Sequence, residues 1–472
     1  MNAGRYRDGG RGTAWALAAV LLVVAAIVVP WVAAGSANGG RADPLAARLQ
    51  ELGYTGRVES TLTERLGRRL DPPLADTGRN LWFDTITSLN GDNSCAGCHS
   101  PTTGFGDTQS IAIGIDSNRI VGPDRVGPRN QRRAPMVLNT AFFPSLMLND
   151  RFSSLSGDPF DSSRGLLFPA PEGLSLSYLP HLLDAQAFIP PTERAEAAGF
   201  AFVGDNDAIR AEVVRRINAV PAYRKLFGKS FPEVKRGAPI TYEMVARAIA
   251  EFEFSLTFAN APIDRYARGD HNALSPQENE GAQLFFGAAG CVSCHQVSGS
   301  SNEMFSDFDE HDVGIPQLVP ARANVTFDGP NANEDFGREQ FTGDPADRYA
   351  FRTSPLRNVA LQPAFMHDGA FTSLDAAIRY HLDAIRGAAT YDPAGNAVDA
   401  DLDGALAPMA PILARLDPLV ATPKHLSEQQ IEAIVAFCRD GLLDPDAKPE
   451  RLRRLIPHEL PSGREPLQFQ MR

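Results

Sequence analysis

Apolar residues in this chain recur mostly at helical spacing. Val245, Ile249, Phe252 and Leu256 form one stripe, which predicts a helix over residues 242–256. Ser275-Pro276-Gln277-Glu278 is a capping box with proline at the first helical position. The helix it opens runs through Ala282, Leu284 and Phe285 and stops at Gly287 and Gly290. A second capping box, Ser427 to Gln430, precedes Ile431, Ile434, Val435 and Cys438, which share one face, so the Cys438 thiol is expected in the core. Leu374, Ala377, Ile378 and His381 make a further helical face. Strand patterns are sparse. Residues 153–180, rich in Ser, Pro and Gly, and residues 326–345 read as long loops. The charged, proline-containing tail from Lys448 is expected to be draped on the surface or partly mobile. The predicted fold class is mainly α with long loops.

The N-terminus breaks this pattern. Residues 13–40 carry no charge, residues 14–29 are almost wholly apolar, and Arg5, Arg7 and Arg11 precede them. This is a positive n-region followed by an h-region, and Ala33, Ala34, Gly35, Ser36 and Ala37 offer cleavage sites. The run is also long enough for one membrane span. Residues 1–40 are therefore read as a signal peptide or a membrane anchor. Both readings export the rest of the chain and keep the arginine end cytoplasmic. The expected location is the periplasm, free or anchored to the inner membrane by residues 14–37, with residues 38–44 as a Gly-rich tether.

Composition excludes some classes. The 472 residues are 43% hydrophobic and 22% charged, which is ordinary for a globular protein. The net charge of −12 argues against nucleic acid as a partner, because phosphate neutralisation needs an excess of Lys and Arg. Five cysteines, an odd number, do not make a disulfide scaffold. Four of them lie in Cys95-Ala96-Gly97-Cys98-His99 and Cys291-Val292-Ser293-Cys294-His295. The C-x-x-C-H spacing lets two thiols reach the two vinyl groups of one haem while the adjacent imidazole turns back to the iron. A thioredoxin-like pair does not need the histidine, and a four-cysteine zinc site leaves both histidines unexplained. Two covalently bound c-type haems are predicted, with His99 and His295 as proximal iron ligands. Two similar blocks follow from this: a haem domain at 41–257, a second at 258–445, and a tail at 446–472.

The residues around the motifs resemble the bacterial di-haem cytochrome c peroxidase family, which includes the methylamine-dehydrogenase maturation enzyme. Thr103-Gly104-Phe105-Gly106-Asp107, Arg132-Arg133-Ala134-Pro135, Pro191-Thr192-Glu193, Leu284-Phe285-Phe286-Gly287, Leu356-Arg357-Asn358-Val359 and Met366-His367-Asp368-Gly369 occur in the family's order. The resemblance spans roughly residues 75 to 440. It implies two cytochrome-c-like domains, with peroxide handled at one haem and electrons entering through the other.

It also implies roles for individual residues. The family's distal carboxylate matches Glu193, which would move a proton between the peroxide oxygens. No histidine lies between His99 and His181, so the distal histidine that closes the first haem in many members is missing. A high-spin first haem, ready without reductive activation, follows. The sixth ligand of the second haem matches His381, with Tyr380 as competitor, where the family has Met or Tyr; imidazole in place of thioether would lower the potential. His367 matches a residue near that haem. The family's tryptophan between the haems aligns with Leu148, which cannot be oxidised, leaving direct tunnelling or Phe142, Phe143 or Phe152. The family's calcium site aligns with Arg133 and Gln362 in place of Asn and Thr; a guanidinium cannot ligate a cation, so Arg133 is expected to replace the calcium charge. The resulting expectation is a peroxidase that reduces hydrogen peroxide with electrons from a small periplasmic cytochrome c or cupredoxin. A di-haem oxidase of an organic or protein substrate and a non-catalytic electron carrier are the alternatives. The resemblance suggests a homodimer.

Overall fold

Two helix pairs, built alike, carry the architecture. The helix Pro72–Phe83 opens with proline behind Asp71, whose carboxylate accepts from the Leu74 N–H. It crosses Tyr242–Phe254, which is capped by Thr241. At the crossing Gly78 faces a backbone: a Cβ there would lie 1.7 Å from the Ala248 carbonyl oxygen and 3.0 Å from the Phe252 Cβ. The second pair is Pro276–Phe285, opened by the expected capping box, and Glu428–Ala436. There a Cβ on Gly281 would lie 1.9 Å from the Ala433 carbonyl oxygen and 2.9 Å from the Phe437 Cβ. Each glycine therefore meets an alanine carbonyl and a phenylalanine four residues further on.

Aromatic rings repeat the correspondence. Four residues after each glycine, Trp82 and Phe285 meet Phe252 and Phe437 edge-on at 5.6 and 5.4 Å. A third ring joins each pair, Phe105 at 5.9 Å from Phe252 and Phe305 at 6.0 Å from Phe285. Both of these phenylalanines have positive φ, 55° and 60°. That conformation is costly for a bulky residue and persists only where the surroundings enforce it. Asn139 and Asn358 correspond in the same way: each Nδ2 donates to the Phe258 carbonyl at 3.0 Å, so one oxygen is shared by both halves.

The computed structural model describes residues 43–168 and 175–470, and from Asp43 onward the chain forms one compact unit. The segment read as a signal or anchor lies outside the described residues. Among those described, no helix is long and apolar enough to cross a membrane. The fold is mainly helical with little strand. Residues 153–180 are not entirely loop. Ser145–Leu146, Phe152–Ser154 and Leu166–Leu167 form a small antiparallel sheet in which Ser153 lies opposite both Ser145 and Leu167.

Of the two readings of the tail, the structure shows the draped one. Leu452 and Leu460 are buried in the core that surrounds the first helix pair. Ser462 donates to Asp84 and Arg464 to the Thr85 carbonyl, and Gln468–Phe469 pairs in parallel with Ile120–Val121. The apolar residues that dock it are too irregularly spaced among charges for periodicity to expose them. A buried cluster also ties the N-terminal segment down. Arg357 grips Asp264 through Nη1 and Nη2 at 2.8 and 2.9 Å, and Tyr54 donates to the same carboxylate at 2.7 Å.

Replacing Gly78 or Gly281 by Ala should lower the urea midpoint of the holoprotein by the equivalent of about 1–3 kcal/mol, the usual cost of overpacking. An unchanged midpoint would mean that the helices are not locked at those points. Asp264→Ala strands the Arg357 charge and should cost about 3–5 kcal/mol in the same measurement.

Candidate haem centres

The first motif is a single helical turn, Cys95–Cys98, after which the His99 N–H bonds back to the Cys95 carbonyl at 2.8 Å. The second is the 3₁₀ turn Cys291–Ser293, entered through Gly290 at φ 73° and closed by the His295 N–H on the Cys291 carbonyl at 2.9 Å. Each imidazole is oriented by backbone oxygens. His99 Nδ1 lies 2.9 Å from the Pro135 carbonyl and 3.3 Å from that of Phe105, and His295 Nδ1 lies 3.0 Å from that of Phe305. Carbonyls only accept, so Nδ1 carries the proton and Nε2 keeps its lone pair for a metal. Burial holds both rings neutral, pushing each pKa down to about 4. Burial also pushes the Cys95, Cys98 and Cys291 thiols up to about 12, so these sulfurs are uncharged rather than thiolate ligands. Cavities of about 310 and 270 Å³ open beside the two motifs. Paired sulfurs, an aimed imidazole and an adjoining cavity fit a covalent haem at each place.

The two cavities differ in chemistry. His99 is the one histidine lining the first. His181 is satisfied elsewhere: its Nε2 bonds the Ala141 carbonyl and its Nδ1 accepts from the Leu183 N–H. Glu193 lines this cavity, and its Oε1 accepts from Arg151 Nη2 at 2.6 Å. Two further carboxyls that the sequence did not signal join it. Glu196, three residues on in the π-turn Arg194–Ala198, is raised to about 7 by burial and by the charge of Glu193. Glu253, on the helix that meets Gly78, is raised to about 8 by burial, and its Oε2 has no partner. Both lie near neutrality, where a carboxyl can hold or release a proton.

In the second cavity the structure brings His295 and His381 together, with ring centroids 6.5 Å apart. His381 lies on the helix Leu374–Leu382, and its Nδ1 bonds the Ala377 carbonyl at 2.8 Å, leaving Nε2 free. Tyr380 is turned elsewhere, with its hydroxyl on the Gly314 carbonyl and its ring against Phe371. Cys438 is buried, as expected, and lines this cavity. Among the described residues the one grouping suited to a metal ion is Cys294, Asp307 and His311. There His311 is already held by Asp307 and Asp417 at 3.2 and 2.6 Å.

Leu148 and Arg352 line both cavities, and the Arg352 N–H donates to the Leu148 carbonyl at 2.8 Å. Of the three phenylalanines considered as electron routes, Phe143 lines the first cavity and packs on Phe308 at 5.3 Å. Phe142 and Phe152 pack away from both cavities, on Phe160 and Phe168. Arg133 also lines the first cavity, with the charges of Asp107 and Asp368 reaching its guanidinium. A fixed cation that offers only donors does not fit a calcium site.

Residues 72–272 match the family profile described as di-haem cytochrome c peroxidase. Among curated relatives, a methylamine utilization protein MauG from Methylorubrum extorquens is 29% identical over 315 residues, covering 66% of this chain and 69% of the relative. A cytochrome c551 peroxidase from Pseudomonas aeruginosa is 26% identical over 321 residues, covering 68% and 75%. The fold is similar to the diheme peroxidase BthA from Burkholderia thailandensis, with a TM-score of 0.52 and 23% identity over 85% of this chain and 91% of that one.

The Glu196 shift gives a pH dependence. A carboxyl raised in the folded state contributes stability below its unfolded pKa of about 4.3 and loses it as pH rises through about 7. Glu196→Gln should therefore gain stability over the parent between pH 5 and 8 in thermal unfolding. A difference that does not change over that range would show that Glu196 is not held up.

Proposed function

We propose that the chain is a periplasmic peroxidase of the di-haem cytochrome c peroxidase family, reducing hydrogen peroxide with electrons from a small cytochrome c or cupredoxin. The observation that carries this reading is the first cavity, which has one histidine on its wall and an arginine-held carboxylate beside it. Cys95, Cys98 and His99 hold one haem; Cys291, Cys294, His295 and His381 hold the other. Bound haem would supply a redox iron at each place, where His99 would hold the first and His295 with His381 the second.

The protein's own part is proton handling and insulation. Arg151 fixes the Glu193 carboxylate, which takes the proton of the first peroxide oxygen and returns it to the second. Reduction of one peroxide to two waters consumes two protons and two electrons. Glu196 and Glu253, near neutrality, hold protons at the cavity wall. Leu148 and Arg352 form a thin wall between the cavities without an oxidisable side chain, so electrons cross it by tunnelling. The likeness to MauG supports a second reading, oxidation of an organic or protein substrate. Leu148 weighs against long-range hopping of that kind. The apolar N-terminal run supports export, and whether it is cleaved or retained decides between a free and an anchored enzyme.

The purified holoprotein should show one high-spin and one bis-histidine low-spin haem and should oxidise a reduced cytochrome or cupredoxin only when peroxide is added. Two low-spin haems without such oxidation would identify a carrier instead. Glu193→Gln should cut kcat about 10²–10⁴-fold with haem content intact. His381→Met should raise the midpoint potential of the second haem in a redox titration.

A further inference from the structure

Arg133 is a buried cation with donors unused. Its side chain is 8% exposed and lines the first cavity, yet Nε and Nη2 have no hydrogen-bond partner. The other arginines on that wall are engaged: Arg132 with Asp335, Arg151 with Glu193, and Arg352 with the Met147 and Thr353 carbonyls. The carboxylates whose charge reaches Arg133 do not complete it. Asp107 accepts from the Gln109 and Ala134 N–H groups at 3.2 and 3.1 Å, and Asp368 from those of Leu318 and Ala370 at 2.9 and 3.0 Å. Those oxygens are oriented by backbone donors, and they stabilise the guanidinium by field rather than by contact. The backbone of Arg133 is itself pinned, its N–H donating to the His367 carbonyl at 2.9 Å.

A buried charge with unmade hydrogen bonds calls for an acceptor of opposite sign. A guanidinium presents a planar fork that matches a carboxylate. The group that enters this cavity through Cys95, Cys98 and His99 carries two such carboxylates, its propionates. We infer that Arg133 receives a propionate of the first haem and, as a positioning residue, sets that haem's potential with a fixed positive charge. This rests on the haem attachment read above. The charge favours the reduced iron, because it opposes the extra positive charge of the oxidised one.

The test uses holoprotein carrying Arg133→Gln or Arg133→Lys, with haem counted by the pyridine haemochrome. In spectroelectrochemistry Arg133→Gln should shift the first haem at least tenfold toward the oxidised form, a fall of about 59 mV for one electron. Arg133→Lys should stay close to the parent. Equal midpoints in the parent and Arg133→Gln overturn the inference. So does a parent midpoint that moves with added chloride or formate while that of Arg133→Gln does not, which would make the partner an exchangeable anion. If Arg133→Gln does not load haem, resonance Raman of the parent decides. A propionate-bending band of the first haem raised above that of a solvated propionate supports the pairing, and a solvated-type band overturns it. Fewer than two haems per parent chain would instead reject the attachment reading, through a different measurement.

Discussion

The Ala248 carbonyl can lie against the helix Pro72–Phe83 only because Gly78 has no side chain, and the Ala433 carbonyl lies against Gly281 for the same reason. This close approach sets the distance between the paired helices. The distance in turn decides where Trp82 and Phe285 meet Phe252 and Phe437, and where Phe105 and Phe305 are trapped at positive φ. The carbonyls of those trapped phenylalanines face His99 and His295 and help select which ring nitrogen is free. A backbone contact between helices is thus transmitted, through three rings and one strained residue, to the imidazole nitrogen left with its lone pair. Edge-on aromatic pairs add only about 0.5–1.5 kcal/mol each. Their larger contribution is orientation, since a ring that can tilt only one way fixes the peptide beside it.

On this repeated frame the two centres diverge through residues that the frame does not use. The first cavity gathers carboxyls from separate segments: Glu193 and Glu196 from a π-turn and its approach, and Glu253 from the helix facing Gly78. The second gathers a second imidazole from Leu374–Leu382. One cavity is lined by carboxyls near neutrality and the other by two imidazoles. Leu148 and Arg352 separate them by a single hydrogen-bonded layer. This layer keeps the carboxyl-lined cavity and the two-imidazole cavity chemically distinct.

The arginines show how positive charge is distributed inside a chain of net charge −12. Arg357 stabilises the Tyr54–Asp264 cluster, Arg151 orients Glu193, Arg352 builds the wall, and Arg133 lines the first cavity. Arg357, Arg151 and Arg352 each meet a different acceptor. The guanidinium suits this use because it remains charged at any physiological pH and offers several donors in a rigid plane.

Much of the site was legible in the sequence because the chemistry is local. A C-x-x-C-H run spans five residues, and the thiols and imidazole of each motif are placed by one turn of backbone. The capping boxes before Pro276–Phe285 and Glu428–Ala436 are equally local, and both helices begin where those boxes stand. The Leu374–His381 face signalled its helix through 3.6-residue spacing. What only the tertiary structure decided depends on residues far apart in the chain. Periodicity does not show that Gly78 meets Ala248, that Glu253 joins Glu193, or that His381 rather than Tyr380 turns to the second cavity. It does not show that the charged tail docks through a few scattered leucines beside Ile120–Val121. Each of these is settled by packing between distant segments, where a single side chain or its absence selects the geometry, and such a choice leaves no repeating mark along the sequence.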